Sequence, residues 1–408
     1  MSWPVERADK ALERDLCDHC LGRLFAQLES GHTNLQRGQN LRAGVNLLRC
    51  LREEQPPVHR ECWVCGEIFD QVDRFASAAA RRLSEVESDN FLLGTRIDPH
   101  LSEREERMWG EVGGESAESI KGELNREIGK RVEHLTGKGV EFDNPQVVAV
   151  VDTRFAHVEL DIAPLFLYGR YRKLSREIPQ TKWPCRKCGG KGCDRCDHTG
   201  KQYPTSVQEL IGDPLLDMTG GEEHFFHGMG REDIDALMLG SGRPFVIEVR
   251  NPRTRHLDLE KAGERINLAE EVEVIGLRPS SREEVRRVKM STPPKTYRVG
   301  VLLNGKVHKD KVDEVVRSLK NTTIIQQTPQ RVAHRRADKA RRRRIVDARL
   351  ESLEDHHMAL ILKAESGTYV KEFVHGDQGR TKPSLSEALG VPCEVISLDV
   401  IEIADSEG

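Results

Sequence analysis

The hexapeptide Gly230-Arg231-Glu232-Asp233-Ile234-Asp235 gathers one guanidinium and three carboxylates. It continues through Leu239-Gly240 and Gly242-Arg243-Pro244 into the apolar run Phe245-Val246-Ile247. A carboxylate on such a loop, anchored from behind by a buried strand, can act as a nucleophile or a base at the mouth of a cleft. By itself the same loop is an ordinary polar turn, so its meaning depends on what else the chain supplies. Two further segments carry suitable residue types. Lys295-Thr296-Tyr297-Arg298-Val299-Gly300 opens a strand, and in Ser366-Gly367-Thr368-Tyr369-Val370-Lys371 a glycine turn feeds the first turn of a helix. Taken singly, Tyr297 is a half-buried strand aromatic and Lys371 a solvated helix charge.

Cysteine spacing is the second chemical signal. Eight of the ten cysteines form C-x-x-C pairs: Cys17/Cys20, Cys62/Cys65, Cys185/Cys188 and Cys193/Cys196. Two such pairs complete a tetrahedral zinc site. The last two pairs sit within a glycine-rich stretch, Cys185 to Gly200, that suits a compact knuckle. The first two are separated by 41 residues and need the fold to unite them. Four thiolates leave no open coordination position, so both sites read as structural. His19 and His198 adjoin complete cysteine sets and read as surface residues.

The 408 residues allow two or three domains, with 37% hydrophobic and 32% charged residues and a formal charge of −4. No apolar run approaches the ~20 residues that span a bilayer. The N-terminal residues Met1 to Arg7 lack the apolar core of a signal peptide, which points to the cytoplasm. No glycine-rich dinucleotide fingerprint follows a strand and no P-loop is present, so nucleotide-dependent and methyl-donor chemistries lack support. Residues 1–66 read as helical with the cysteine pairs as staples, including a helix near 34–53, and 67–135 continue the helical theme. An amphipathic helix is expected over 117–136, with a strand at 144–152 and its hairpin partner at 156–161. This gives an accessory domain over 1–173, a linker carrying the knuckle over 174–204, and an α+β domain over 205–408. Strands of the last are expected at 244–249, 271–276, 296–303, 357–364 and 394–403, with a helix over 280–288. Without strict strand–helix alternation, the sheet should be mixed or antiparallel.

Gly-Arg-Glu-Asp, Lys-x-Tyr and Gly-Thr-Tyr-Val-Lys together resemble the three motifs of pseudouridine synthases. Longer signatures narrow the likeness: Glu159 to Phe166, Gly169 to Pro184, Leu239 to Phe245, and Gln327 to Asp338. They are similar to the archaeal branch of the tenth pseudouridine synthase family, which modifies T-loop uridines of tRNA. The resemblance implies a zinc-stapled, THUMP-like α/β domain followed by a pseudouridine synthase catalytic domain acting without a cofactor. It assigns catalysis to Asp233, with Asp235 second by proximity alone. Lys371 becomes the cation that keeps the carboxylate charged, and Tyr297 the ring lying flat on the flipped uracil. Tyr369 joins the substrate-binding set, Arg231 props the vacated cavity or a phosphate, and Leu389 walls the pocket. The target is tRNA position 55, with position 54 as a second site.

Between Arg331 and Arg349 the chain carries nine cations against Asp338 and Asp347. Arg331, Arg335, Arg336, Lys339, Arg341 and Arg342 are its expected RNA contacts, with binding that weakens as salt rises. The plain alternative is a solvated helix face or a strand edge. The Lys and Arg residues of 170–187 are a second RNA candidate. A rival from another class is a non-catalytic tRNA-binding protein built on the zinc and THUMP-like region.

Overall fold

The computed structural model describes residues 3–28, 30–58, 60–335 and 337–404. The chain divides into two compact units, Met1–Ala163 with Arg253–Arg255, and Pro164–Pro252 with His256–Gly408. Among the described residues no helix is long and apolar enough to cross a membrane.

In the first unit, helix Asn34–Leu51 starts at Thr33, whose hydroxyl accepts from the Gln36 N–H while the Gln36 side chain accepts from the Thr33 N–H. Such reciprocal capping satisfies two otherwise orphaned donors. Helix Asp18–Arg23 crosses it through two glycines. A Cβ on Gly22 would lie 1.8 Å from the Asn34 carbonyl oxygen, and one on Gly38 1.8 Å from that of Asp18. Only glycine allows this approach, and it fixes the helix that carries Cys20 and, as its N-cap, Cys17.

Beyond these helices lie β1 (Asn90–Arg96), β2 (Gly139–Val140), β3 (Val147–Asp152) and β4 (His157–Ile162), in the order β2-β1-β3-β4. β1 runs parallel to β2 and β3, and β3 and β4 form the expected hairpin. Helices Val72–Leu83 and Ile120–Thr136 bury Phe75, Ala79, Leu124 and Ile128 in the same core as Phe91 and Ala149 of the strands. β1 interrupts a stretch expected to be helical throughout. Burial alternates along its seven residues, too short a run for a period of two to stand out.

The second unit is a ten-stranded mixed sheet, which gives the expected α+β class. Its strands are β5 (Leu165–Lys173), β6 (Glu223–Gly228), β7 (Leu237–Arg250), β8 (Val272–Pro279), β9 (Lys295–Leu303), β10 (Thr322–Gln326), β11 (Arg341–Glu354), β12 (His357–Ala364), β13 (Thr381–Lys382) and β14 (Cys393–Ile403). Their order is β13-β10-β11-β12-β9-β14-β7-β5-β8, with β6 paired to β7. Among its described residues only β14 and β7 pair in parallel. All five expected strands form, as does the helix Arg282–Met290, capped by Ser281.

Two expectations change. β5 pairs with β7 and β8, so the chain passes between units at Ala163/Pro164 rather than at 173, and 174–204 belongs to the second unit. The basic run is neither a helix face nor a sheet edge. Its first part is a short 3-10 turn, Gln330–Arg335, and its second is β11, which lies between β10 and β12.

Candidate active site and metal centres

The loop joining β6 to β7 carries Asp233, and buried side chains hold it from beneath. Arg243, on β7, sets its Nε 3.0 Å from Glu232 Oε2 and donates from Nη1 to the Met229 carbonyl at 2.7 Å. The Tyr171 hydroxyl, on β5, donates to Glu232 at 2.9 Å. Gln180 donates from Nε2 to the Tyr171 hydroxyl oxygen at 2.8 Å and to the Gly230 carbonyl at 2.9 Å. Lys173 donates to the Ile234 carbonyl on the far side of Asp233. The Glu232 and Arg243 side chains are each 1% exposed. Removing either would leave a buried charge without its partner.

This clamp leaves Asp233 partly open to solvent at 38% exposure, between two cations. Its Oδ1 lies 3.4 Å from Arg331 Nη1 and its Oδ2 3.6 Å from Lys371 Nζ. Arg331 reaches from the turn Gln330–Arg335 and also donates from Nε to the buried Glu372 at 2.6 Å. Lys371, in the short helix Val370–His375, binds Asp235 more closely, at 2.7 and 2.9 Å. Burial pushes the Asp235 carboxyl up, but the Lys371 hydrogen bond and charge bring it below its ordinary value.

Tyr297 lies on β9, opposite Leu362 and Val400, with 8% of its surface exposed. Burial raises its phenol pKa, and the Asp233 charge adds to that rise while Arg243 opposes it. Two residues earlier, Lys295 is buried beneath Gly230, where a Cβ would come 2.8 Å from the Lys295 Nζ. Burial and the neighbouring Arg243 push the Lys295 ammonium down to about 7.

The three motifs expected to meet, those of Asp233, Tyr297 and Lys371, therefore converge. Tyr369 is half-buried, its backbone exchanging hydrogen bonds with the Gln326 side chain. Leu389 lies inside the core at 1% exposure. Arg231 stacks over the Trp183 ring, 4.8 Å from its centroid. Among the basic residues, Arg331 serves the carboxylates, and Arg341 donates to Thr328 Oγ1 at 2.9 Å. Lys339 and Arg342 are exposed. The Arg335 side chain and all of Arg336 lie outside what the structure describes. Tyr171, Gln180, Arg243, Lys173 and Lys295 also build the site; the sequence motifs contain all five, but none was given a role there. The Arg before Pro244 in an apolar run was the available signal.

Both cysteine sets close. Within each of Cys17/Cys20/Cys62/Cys65 and Cys185/Cys188/Cys193/Cys196, the sulfurs all lie within 4.8 Å of one another. A tetrahedral zinc with Zn–S near 2.3 Å requires sulfur–sulfur distances of roughly 3.8 Å. Cys17–Cys65 at 3.6 Å, and Cys193–Cys196, Cys188–Cys196 and Cys185–Cys193 at 3.7, 3.9 and 4.0 Å, meet it. His19 is half-buried rather than a plain surface residue. It stacks on Phe69 with ring centroids 4.4 Å apart and shares a 2.7 Å hydrogen bond with the buried Glu123.

Two described families match parts of the chain, one in each unit. The family described as Pus10, C-terminal matches residues 166–404, and the archaeal Pus10 THUMP domain matches residues 75–152. Relatives named "tRNA pseudouridine synthase Pus10" include that of Methanothermobacter marburgensis, 43% identical over 98% of each chain, and that of Methanopyrus kandleri, 40% identical over 99% of each. That of Pyrococcus furiosus is 37% identical over 98% of each. The chain belongs to the Pus10 family. Among solved structures, one titled "Crystal Structure of a Cbf5-Nop10-Gar1 Complex" aligns at 19% identity over 48% of this chain and 44% of that one, with a TM-score of 0.31.

Proposed function

We propose that the protein is a cytoplasmic tRNA pseudouridine synthase that isomerises the T-loop uridine at tRNA position 55, and that at position 54, with Asp233 as its catalytic carboxylate. The observation that carries this reading is the placement of Asp233 between Lys371 and Arg331 on a loop clamped from below. The reaction breaks the N1–C1′ bond, turns the uracil and rejoins it through C5, with the C5 hydrogen leaving as a proton. No external reactant is consumed. Whether Asp233 attacks carbon or removes a sugar proton, it must be ionised in a site from which water is largely expelled. Two cations oppose the desolvation cost.

The uracil must leave its stack to reach the carboxylate. Tyr297 then offers its ring face, with Tyr369 and Leu389 shaping the wall behind. Arg231 is placed to prop the vacated position or a phosphate. Lys339, Arg341 and Arg342, with Arg335 and Arg336 of the same run, hold the T-arm. The THUMP-like unit adds RNA affinity. Zinc at both cysteine sets is structural, and catalysis uses no cofactor.

The test is pseudouridine mapping on an unmodified tRNA transcript incubated with the wild type or with Asp233→Ala. New T-loop pseudouridine from the wild type alone, with tRNA affinity held within a few-fold, is expected. Tight binding with no product from either would favour the non-catalytic tRNA-binding protein.

A further inference from the structure

The four-cysteine finger is mounted directly on the catalytic loop. Its stem is closed by the bridge between Pro184 and Lys201, by the Gln202 N–H donating to the Trp183 carbonyl at 2.9 Å, and by Trp183 packing edge-on against Tyr203. The same Trp183 carries the Arg231 guanidinium on its face, two residues from Asp233. Three residues before Trp183, Gln180 holds the Gly230 carbonyl. The base of the finger thus touches the Asp233 loop at two points.

The finger's surface is cationic. Lys182, Arg186, Lys187, Lys191 and Arg195 are all exposed, and none is ion-paired among the described residues. Of the finger's acids, Asp194 faces His198 at 3.3 Å. Within Cys185–Cys196 there is no aromatic side chain on which a base could stack, so the chemistry presented is phosphate recognition rather than base reading. Arg186 and Lys187 follow Trp183 by three and four residues. Chain reach alone keeps them within about 14 Å of the stem.

We propose that this finger is a second RNA-holding element, which grips the tRNA backbone next to the target nucleotide and registers it against Asp233 through Trp183–Arg231 and Gln180–Gly230. It rests on the tRNA reading above and adds a separate phosphate-binding surface to the basic run.

The test uses the full chain carrying Arg186→Ala, Lys187→Ala, Lys191→Ala and Arg195→Ala together. Its affinity for a tRNA transcript is measured across a salt series, beside metal content and pseudouridine formation by the wild type. Affinity should fall about tenfold or more at 0.1 M salt, and the log–log salt slope should become shallower by about 0.7–0.9 for each phosphate that the finger no longer neutralises. Wild-type affinity and slope in a variant that keeps its metal would overturn the proposal. Should the fourfold change cost the metal, Lys187→Gln with Lys191→Gln should show a smaller shift in the same direction, and no shift there overturns it equally. A wild type that binds tRNA but makes no pseudouridine would sink the catalytic reading while the affinity comparison still decides the finger.

Discussion

The two cysteine clusters share a donor set and differ in almost everything around it. In the first, Cys20, Cys62 and Cys65 are at most 2% exposed and belong to the core of the N-terminal unit. The Arg23 guanidinium is buried close enough for its charge to act on Cys20, with Glu105 3.4 Å away. In the second, Cys188 and Cys193 are half-buried and the surrounding side chains face solvent. Chain separation explains the difference. Forty-one residues separate Cys20 from Cys62 and four separate Cys188 from Cys193. A long loop costs more entropy to close and is held by packing, whereas the short one closes on itself and leaves its surface free for other work. The Asp233 loop repeats this contrast over a few residues. Glu232 and Arg243 are sealed together, while Asp233 next door is left open between two cations.

The widest gap should appear between Cys65→Ser and Cys193→Ser. A closed structural zinc site is worth ~10–16 kcal/mol in isolated finger peptides. Cys65→Ser should therefore unfold the N-terminal unit, seen as loss of its protease resistance. Cys193→Ser should lower tRNA affinity while the melting of both units moves only slightly. Equal unfolding by the two would erase the distinction. Next in size, Lys371→Ala removes an open charge from the carboxylate and should lower kcat on the order of 10²-fold, the usual cost of one charge-stabilising group. Asp235→Asn, at a side chain 66% exposed, should cost far less. The reverse ranking would make Asp235 the reacting group.

The smallest effect concerns a sealed charge. Lys295 falls from an ordinary 10.5 to about 7 in the folded protein. Between those values the unfolded chain holds a proton that the folded chain has released, so this residue adds stability as pH rises from about 7 to 10.5 and subtracts below 7. Lys295→Met should raise the melting temperature at pH 6 and gain little at pH 10. A gain independent of pH would place the ammonium in water.

What was legible follows from range. The motifs of Asp233, Tyr297 and Lys371 announce themselves because each needs specific residue types within a few positions. The C-x-x-C pairs do so for the same reason. The helix Ile120–Thr136 was visible because its apolar residues recur at helical spacing, and the hairpin of β3 and β4 because the unbroken apolar run Val147 to Val151 is followed by the alternating His157-Val158-Glu159-Leu160. The clamp was not legible, since Tyr171 and Arg243 meet Glu232, and Gln180 meets Tyr171 and Gly230, only after β5 and β7 pair. Arg331 was singled out for RNA, but its place beside Asp233 was hidden in a run whose composition says only that it is basic. β10 and β13 are five and two residues long, too short for periodicity to register. The boundary at Ala163/Pro164 has no linker composition, because a strand of one unit begins almost where a strand of the other ends.

The most direct test of Asp233 follows the atom that must leave. Joining C5 of uracil to the sugar expels the C5 hydrogen, so a tRNA transcript tritiated at uridine C5 should release tritium to water when treated with wild-type protein. Asp233→Ala and Asp233→Asn, tested at concentrations that saturate tRNA binding, should release none above background. Release by either variant at near the wild-type rate would contradict the assignment of the reaction to Asp233.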